Sequence, residues 1–369
     1  MALRLAIIGA GPAGAQVMYP PALAGSDRFE VAWVYDPDRK NSAALVDAIG
    51  QGRPAASLQE ALTDGVEAAI IASPVQFHRP QAIAALESGL HVLVEKPMAR
   101  TLSGCRAIQR AAAAAGRVLM VGFMKRFDRS FERATEMVAG GELGTMIEVR
   151  CDWSHRSPFP AHESRAHPQT WGGTFQDHGS HTIDLCRLWL GDIEQVSAEM
   201  KIAFGERYNE DVGAAICLHA QGAISTHNIS RVHTGRMMES YDLVGTRGRL
   251  RIQYSGRASY ASADPFQMTF FGPGGTTRDL TVRPLANIRA EIARNGRYAR
   301  ELNHFADCIA GEAENRAPGD AGSAAVEAVN AAFASAASGA KVTLPLQVEP
   351  DLAAFFEALR NGARDRDRR

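Results

Sequence analysis

Three groups of residues in this chain of 369 have the types and the spacing that chemical work requires. One is a glycine-rich turn near the N-terminus, one is a lysine at the end of an apolar run, and one is a carboxylate four residues before an imidazole. In order they are Gly9-Ala10-Gly11-Pro12-Ala13-Gly14, Lys96, and the pair Asp177 and His181. Such a glycine turn cradles a pyrophosphate, and an amine, a carboxylate and an imidazole can together orient a substrate and move a proton.

The glycine turn follows an apolar run of strand length and precedes an alanine-rich segment. In a dinucleotide site Gly9 permits the tight turn, Gly11 lets the pyrophosphate approach the backbone, and Gly14 lets the helix pack closely on its strand. The phosphates then lie at the helix N-terminus, where N–H groups and the helix dipole favour anions. We therefore predict a dinucleotide site that also includes Pro12 and Ala13. The alternative is an ordinary turn between a strand and a helix.

A second strand is expected over residues 29–35, and it ends at Asp36. The acid lies about 20 residues beyond the glycine turn, where a carboxylate accepts hydrogen bonds from the adenosine ribose hydroxyls and repels a 2′-phosphate. This position predicts NAD rather than NADP, although Arg39 and Lys40 follow closely and would soften the preference. The alternative is that Asp36 caps the turn before Pro37.

Two further apolar runs, residues 68–72 and 91–94, have the unbroken character of buried parallel strands. The alternation of strands with helical segments predicts a doubly wound parallel sheet with right-handed crossovers. The carboxyl ends of such strands face the cofactor crevice. The residues that we place there follow these two runs: Ser73, Pro74, His78, Glu95 and Lys96.

Asp177 and His181 come just before a segment that is typical of a helix and ends at Gly191. If both lie on that helix or on its first turn, their spacing puts them on one face. A histidine near a helix start faces the positive end of the dipole, which favours its neutral, proton-accepting form. An unperturbed imidazole, with a pKa of about 6.5, is the natural base for a hydroxyl group at neutral pH, so the sequence predicts that role for His181.

Composition restricts the class of protein. Apolar residues make up 46% and charged residues 22% of the chain, as in ordinary globular proteins, and the length favours two domains. A formal net charge of −1 argues against a general nucleic-acid or anionic-membrane binder. We expect a cytoplasmic protein, because the five cysteines are scattered and odd in number and no signal peptide or membrane-spanning run is evident.

Between residues 196 and 271 short alternating segments recur with turn residues between them. This pattern predicts a meander of antiparallel strands, as in the open sheet of a second domain. An open sheet with one face left uncovered also favours a homodimer or homotetramer, by analogy with similar folds.

Four features together resemble the Gfo/Idh/MocA oxidoreductases, the family of glucose–fructose oxidoreductase and inositol dehydrogenase. They are the N-terminal glycine turn, the acid that ends the second strand, the Ser-Pro-x-x-x-His stretch that begins at Ser73, and above all Glu95-Lys96-Pro97. The segment 122–128 is also similar to the corresponding segment of inositol dehydrogenases.

The resemblance implies an α/β plus α+β fold. A Rossmann domain with a doubly wound parallel sheet would occupy residues 1–122, and a substrate-binding domain with an open, mostly antiparallel sheet would occupy residues 123–346. Helices near 298–339 would brace the domain junction, and residues 347–369 would form a C-terminal helix and tail.

The same resemblance implies roles for individual residues. Lys96 would lie at the nicotinamide and the substrate, and the peptide bond that follows it would be cis. Asp177 and His181 would be the catalytic pair. Arg126 and His155 would contact the substrate.

Asp177, His178, His181 and Asp184 also have spacings found in metal sites. We predict no metal, because hydride transfer in the family needs none and no cysteine or second histidine cluster lies nearby in the sequence. His178 is instead expected to be a structural neighbour of the catalytic pair.

We therefore predict an NAD-dependent enzyme that oxidises a secondary hydroxyl of a sugar, sugar derivative or cyclitol by hydride transfer to nicotinamide. One alternative keeps the site but recycles a tightly held cofactor, either to cleave a glycosidic bond or to shuttle a hydride between two sugars. Another is a redox-sensing binding protein, against which the joint presence of Lys96, Asp177 and His181 argues. Inositol itself is disfavoured, since Gly235 and Met237 stand in a loop where inositol dehydrogenases carry tyrosines.

Overall fold

The computed structural model describes residues 2–12, 14–24, 26–63, 65–156, 172–203, 209–256, 266–283 and 296–367. Ala13, predicted as part of the glycine turn, lies outside the described residues. The chain divides into two compact units, the first made of residues 1–128 with 284–323 and the second of residues 129–283 with 324–369. Each unit is therefore built from two stretches of the sequence.

The first unit contains a six-stranded parallel sheet of order β3-β2-β1-β4-β5-β6. Its strands are β1 (Leu3–Ile8), β2 (Phe29–Tyr35), β3 (Arg53–Pro54), β4 (Ala68–Ile71), β5 (His91–Glu95) and β6 (Leu119–Gly122). The unbroken apolar runs are buried, as the predicted parallel sheet requires. The strand order reverses between β1 and β4, which is where a doubly wound sheet opens its binding crevice. The predicted Rossmann sheet is confirmed.

The helices of the first unit are α1 (Ala15–Met18), α2 (Pro20–Leu23), α3 (Arg39–Ile49), α4 (Leu58–Ala61), α5 (His78–Glu87), α6 (Leu102–Ala115) and α9 (Arg297–Ala310). The alanine-rich segment after the glycine turn forms two helices of four residues each, separated at Tyr19. Two consecutive prolines, Pro20 and Pro21, explain the break, because they offer no N–H groups to continue the first helix.

The second unit contains a nine-stranded sheet of order β14-β13-β12-β11-β7-β10-β9-β8-β15. Its strands are β7 (Met146–Ser154), β8 (Ile193–Lys201), β9 (Val212–His219), β10 (Ile224–Ser230), β11 (Met237–Gly245), β12 (Gly248–Gly256), β13 (Gln267–Phe271), β14 (Thr277–Asp279) and β15 (Val342–Thr343). The mostly antiparallel character is confirmed. The arrangement is not a plain meander, because β7 lies between β10 and β11 and pairs in parallel with β10.

The core of the second unit lies between this sheet and two helices, α7 (Arg129–Ala139) and α8 (Ser180–Leu190). The ring of Phe131 from α7 packs at 5.1 Å against Tyr241 and at 5.0 Å against Phe266. Two further helices of the chain are α10 (Gly319–Ser338) and α11 (Leu352–Asp367). No helix among the described residues is both long and apolar enough to cross a lipid bilayer.

Candidate active site

The glycine turn after β1 has two glycines with different surroundings. Gly9 has a φ of +94°, and a Cβ built on it would lie 2.3 Å from the backbone nitrogen of Ser73 at the end of β4. Only glycine fits there. A Cβ on Gly11 would meet no atom of the described chain within 4 Å. Gly11 therefore faces open space, as a backbone that receives a pyrophosphate must.

Asp36 lies against this turn. Its Oδ2 accepts a hydrogen bond from the backbone N–H of Ala10 at 2.8 Å, and its Oδ1 accepts from the N–H of Asp38 at 2.9 Å and from the side-chain amide of Asn41 at 3.3 Å. The carboxylate thus caps the turn that leads into α3. This capping role is the alternative that the sequence analysis gave for Asp36. It also lies beside the glycine turn, where the ribose role requires it, and that role stays a prediction.

His78, at the start of α5, joins two strand ends in the crevice region. It is buried, with Nε2 at 2.7 Å from the carbonyl oxygen of Ser73 and Nδ1 at 2.9 Å from that of Pro97. Burial lowers the pKa of His78, so the ring is neutral and donates its single N–H to one of these two carbonyls. The imidazole therefore holds the end of β4 beside the turn that follows Lys96.

Lys96 is half-buried between the buried residues Glu95 and Pro97, and the Lys96–Pro97 peptide bond is cis, as the resemblance implies. The Glu95 carboxylate is buried and accepts a hydrogen bond at 2.7 Å from the hydroxyl of Tyr19. A Cβ on Gly122 would lie 2.9 Å from the same carboxylate, so Glu95 contacts β6 of its own unit. Glu95 is thereby tied to the interior of the first unit.

Arg126 also belongs to the first unit. It is nearly buried, its guanidinium lies over the ring of Phe123 at 5.4 Å, and it donates a hydrogen bond to the carbonyl oxygen of Arg316. Its predicted role as a substrate contact is not tested by these contacts.

In the second unit, Asp177 and His178 lie on a π-helical turn, Phe175–Gly179, that leads directly into α8. His181 is the second residue of α8 and is buried. Turns of this kind are rare and occur often at functional sites. Sequence periodicity alone did not predict the π-helical turn, because an α-helix and a single π-helical turn have similar residue patterns over five residues.

Glu210 holds the start of this turn and was not predicted from the sequence. Its buried Oε1 accepts a hydrogen bond from the N–H of Phe175 at 2.7 Å, and its carbonyl oxygen accepts from the N–H of Thr174 at 3.1 Å. Gly173 has a φ of +91°, and a Cβ there would overlap the Glu210 carboxylate. Burial raises the pKa of Glu210 well above its ordinary value. The segment around Glu210 therefore caps the turn from a distant part of the chain.

A buried network fastens α8 to the sheet. Nδ1 of His227 on β10 lies 2.8 Å from Oγ1 of Thr182 on α8, and its Nε2 lies 2.9 Å from Oγ of Ser225. Burial lowers the pKa of His227 to about 3, so the ring is neutral. Sγ of Cys151, Sγ of Cys186 and a nitrogen of His227 come within 4.8 Å of one another, although both nitrogens of His227 already have hydroxyl partners.

Around Trp153, at the end of β7, the second unit brings together three of the predicted residues. The Trp153 ring stacks on His181 at 5.7 Å and meets His178 edge-on at 4.3 Å. Nε2 of His178 lies 3.2 Å from Nε2 of His155, and its Nδ1 lies 3.7 Å from Oδ2 of Asp177. Alternation along β7 could have indicated that Trp153 and His155 share a face, but nothing local indicated that His178 would join them.

The predicted residues thus fall into two sets. Lys96 and Arg126 belong to the first unit, with the glycine turn, Asp36 and His78, whereas His155, Asp177 and His181 belong to the second. The architecture of the first unit, with a glycine turn at the reversal point of a parallel sheet, defines a nucleotide-binding Rossmann protein.

Comparison with known proteins identifies the family of Rossmann proteins to which the chain belongs. Residues 3–123 match the family described as "Oxidoreductase family, NAD-binding Rossmann fold", and residues 131–251 match the "GFO/IDH/MocA C-terminal domain". The chain belongs to the Gfo/Idh/MocA oxidoreductase family, as the resemblance indicated.

Several relatives with curated names match the chain. It is 28% identical over 282 residues to scyllo-inositol 2-dehydrogenase (NAD(+)) of Bacillus subtilis (strain 168), a match that covers 75% of this chain and 77% of the relative. It is 32% identical over 197 residues to D-xylose 1-dehydrogenase (NADP(+)) 2 of Haloferax volcanii, covering 53% of this chain. The chain spans only 60% of the length of that relative.

Among solved structures, the chain resembles GenD2 from gentamicin A biosynthesis in complex with NAD. The two are 26% identical with a TM-score of 0.77, and the match covers 94% of this chain and 97% of GenD2. The relatives therefore include proteins named for NAD and for NADP.

Proposed function

We propose that this protein is an NAD-dependent oxidoreductase that oxidises a secondary hydroxyl of a sugar, sugar derivative or cyclitol by hydride transfer to nicotinamide. The observation that carries the proposal is the cluster of Asp177, His181 and His155 around Trp153, in a chain whose first unit has an open glycine turn. A binding protein of the same family would have no need for this concentration of proton-transferring groups.

The first unit supplies residue types that fit a dinucleotide. The backbone of Gly9, Gly11, Pro12, Ala13 and Gly14 would hold the pyrophosphate. Asp36 would accept the ribose hydroxyls, which favours NAD. Ser73, Pro74, His78 and Glu95 would shape the crevice around Lys96. When bound, the nicotinamide supplies the acceptor for the hydride.

The proposed reacting groups are Lys96, Asp177 and His181. His181 would accept the proton of the substrate hydroxyl, which its burial helps because little water competes for the same imidazole. Lys96 would donate a hydrogen bond to the same oxygen and stabilise the negative charge that develops on it in the transition state. Asp177 would orient His181 or bind a neighbouring hydroxyl, and Arg126 and His155 would contact the substrate.

The test is a spectrophotometric assay of the purified protein with NAD and NADP separately. A panel of inositols, aldoses, anhydrosugars and glycosides covers the proposed substrate class. We expect reduced nicotinamide to accumulate with NAD and at least one polyol or sugar. Formation of product without net cofactor reduction would instead establish the cofactor-recycling alternative, and no turnover with any member of the panel would contradict the proposal.

We also propose a homodimer or homotetramer in the cytoplasm. Ile216, Ile224 and Met238 are exposed apolar side chains on the strands of the second unit, where a second copy would cover them. All five cysteines are free thiols, which suits a reducing compartment. Sedimentation analysis would measure the assembly state, and a monomer at micromolar concentration would exclude the assembly.

A further inference from the structure

Glu210 contacts the π-helical turn at two places near its start. Its Oε1 accepts a hydrogen bond from the N–H of Phe175 at 2.7 Å. Its carboxyl group also lies directly against Gly173, where a Cβ would overlap it. The carbonyl oxygen of Gly173 in turn accepts a hydrogen bond from the N–H of Asp177 at 3.1 Å. One side chain thus contacts both the first residue of the turn and the residue whose carbonyl holds Asp177.

The position of Glu210 is set by the sheet of the second unit. The backbone N–H of the next residue, Asp211, donates a hydrogen bond at 3.1 Å to the carbonyl oxygen of Lys201, the last residue of β8. The carbonyl oxygen of Asp211 accepts a hydrogen bond at 2.8 Å from the N–H of Arg231, which directly follows β10. Glu210 therefore connects the turn to a backbone that two strands already hold.

The ring of Phe175 extends this hold to the end of the turn. Phe175 is fully buried, and a Cβ built on Gly213 of β9 would lie 3.0 Å from its Cδ2. A Cβ built on Gly179, the last residue of the turn, would lie 3.1 Å from its Cδ1. Both distances are shorter than ordinary contacts between carbon atoms, so the two glycines make room for the ring. The stretch from Glu210 to Gly213 therefore holds Phe175 by its N–H and by its ring.

The carboxyl group of Glu210 is a neutral acceptor. It is fully buried, and its Oε2 has no hydrogen-bond partner in the part of the chain that the structure describes. Burial is the main cause that raises the pKa of Glu210 well above its ordinary value, so the group keeps its proton at neutral pH. A protonated carboxyl group accepts at Oε1, as the amide of a glutamine would. It holds the N–H of Phe175 without bringing a negative charge to the turn on which Asp177 lies.

We propose that Glu210 is a positioning residue for Asp177 and His181. It fixes the π-helical turn on which Asp177 lies, and that turn leads directly into α8, where His181 is the second residue. The inference rests on the proposed function in one respect, which is that Asp177 and His181 act on the substrate. The fixing of the turn by Glu210 does not depend on that assignment.

The first part of the test does not depend on activity. Hydrogen–deuterium exchange of the full-length protein, followed by mass spectrometry over residues 173–181, measures the protection of the amides in the turn. Glu210→Gln keeps a neutral acceptor and should leave this protection unchanged. Glu210→Met keeps the length of the side chain but removes the oxygen. The amides of Phe175 and Asp177 should then exchange about tenfold faster, as expected for one lost hydrogen bond.

A further variant keeps the test decisive if Glu210→Met does not fold. Glu210→Asp retains the carboxyl group but shortens the side chain by one methylene, which withdraws the oxygen from the N–H of Phe175. We expect faster exchange over residues 173–181 in this variant as well. Exchange of the peptide that contains β13, in the same unit, should remain at the native rate in all three variants.

The second part compares the kinetic constants of the same variants with the substrate found in the panel. Glu210→Met should lower kcat by about 10–100-fold, because a small displacement of reacting groups slows a reaction strongly. The KM for NAD should change little, since the proposed cofactor residues lie in the first unit. Glu210→Gln should keep kcat within about threefold of the native value, and this rescue distinguishes the loss of the acceptor from a general loss of packing. Glu199→Met, the same substitution at an exposed position of β8, is the matched control.

The outcomes separate this inference from the proposed function. Native protection of residues 173–181 in both Glu210→Met and Glu210→Asp overturns the inference, as does a loss of protection in Glu210→Gln equal to that in Glu210→Met. The expected exchange rates with an unchanged kcat uphold the fixing of the turn by Glu210. That result instead counts against Asp177 and His181 as the reacting pair, which belongs to the proposed function.

Discussion

The cofactor end of the first unit and the histidine cluster of the second are built in different ways. The first is made largely of backbone: Gly9 turns against β4, Gly11 faces open space, and Asp36 holds the N–H of Ala10. The second is made of side chains, with His155 after β7 meeting His178 on a π-helical turn. The comparison teaches that substitutions in the first region act through shape and backbone conformation, whereas in the second they act through the identity of each polar group.

The largest effect should come from the proposed reacting side chains, one from each unit. Lys96→Ala and His181→Ala should each lower turnover by about 10²–10⁴-fold, because each removes a group that acts on the substrate hydroxyl. NAD affinity, measured by calorimetric titration, should stay nearly unchanged, since the backbone of the glycine turn is proposed to hold the cofactor. An equal loss of NAD affinity in both variants would count against the assignment.

Substitutions at Gly9 and Gly11 should affect different properties, the first the stability of the fold and the second the binding of NAD. Gly9→Ala should lower the free energy of unfolding by about 2–4 kcal/mol, because the new Cβ meets the backbone at Ser73 and the residue has a positive φ. Gly11→Ala is the matched control for folding, and it should unfold at the native denaturant concentration while binding NAD more weakly. If Gly11→Ala binds NAD as the native protein does, the open space above Gly11 is not the pyrophosphate site.

A buried acid in the first unit gives a smaller effect with a defined pH dependence. Glu301 on α9 is wholly buried, and neither carboxylate oxygen has a hydrogen-bond partner in the part of the chain that the structure describes. Burial first, and then the nearby Glu95, raise the pKa of Glu301 well above its ordinary value of 4.5. The unfolded chain therefore loses this proton at a lower pH than the folded chain, so stability falls as the pH rises above about 4.5.

Glu301→Gln should accordingly raise the free energy of unfolding by about 1–3 kcal/mol at pH 7. A neutral amide avoids the free energy needed to bury a carboxyl group that is ionised in the unfolded chain at this pH. At about pH 4, where the carboxyl is protonated in both states, the gain should disappear. Denaturant titrations at the two pH values measure the difference. The exposed Glu312→Gln is the control and should change neither value, and an equal gain at both pH values would contradict the protonation argument.

The smallest effect comes from His227 in the second unit. Its contribution makes stability fall as the pH drops, whereas that of Glu301 makes stability fall as the pH rises. Burial lowers the pKa of His227 to about 3 from an ordinary value of 6.5, so the unfolded chain gains a proton that the folded chain does not accept. Stability falls as the pH drops below 6.5, by about 1 kcal/mol from this group between pH 7 and pH 5.5. His227→Gln should remove this part of the slope in denaturant titrations. Equal slopes in native and variant protein would show that His227 titrates normally.

The sequence predicted the first unit better than the second for a physical reason. The glycine turn, the buried strands and Asp36 are local patterns, since each depends on residues adjacent in the chain or on a fixed offset. Alternation predicted the strands of the second sheet but not that β7 would lie between β10 and β11, because alternation shows which residues face the core and not which strand is the neighbour. Pro20 and Pro21 are a further local signal, because they divide the alanine-rich segment after the glycine turn into two short helices.

The contacts that complete the histidine cluster of the second unit could not be predicted from the spacing of residues in the sequence. Glu210 caps a turn that begins 35 residues earlier, and His178 meets a histidine 23 residues before it. Both contacts exist only once the sheet has formed, so they reflect tertiary packing rather than local preference. The π-helical turn under Asp177 is of the same kind, because its start is held by Glu210.

The central place of β7 has a consequence for how the preferences of this family can diverge. Ser154, at the end of β7, is paired with Met238 at the start of β11, and Arg156 is bridged to Val232. Gly235 and Met237, on which the sequence-based argument against inositol rests, lie in or beside that same neighbouring segment. Substitutions in that segment would therefore show whether the proposed substrate selectivity can change while the proposed acid–base role of His181 is kept.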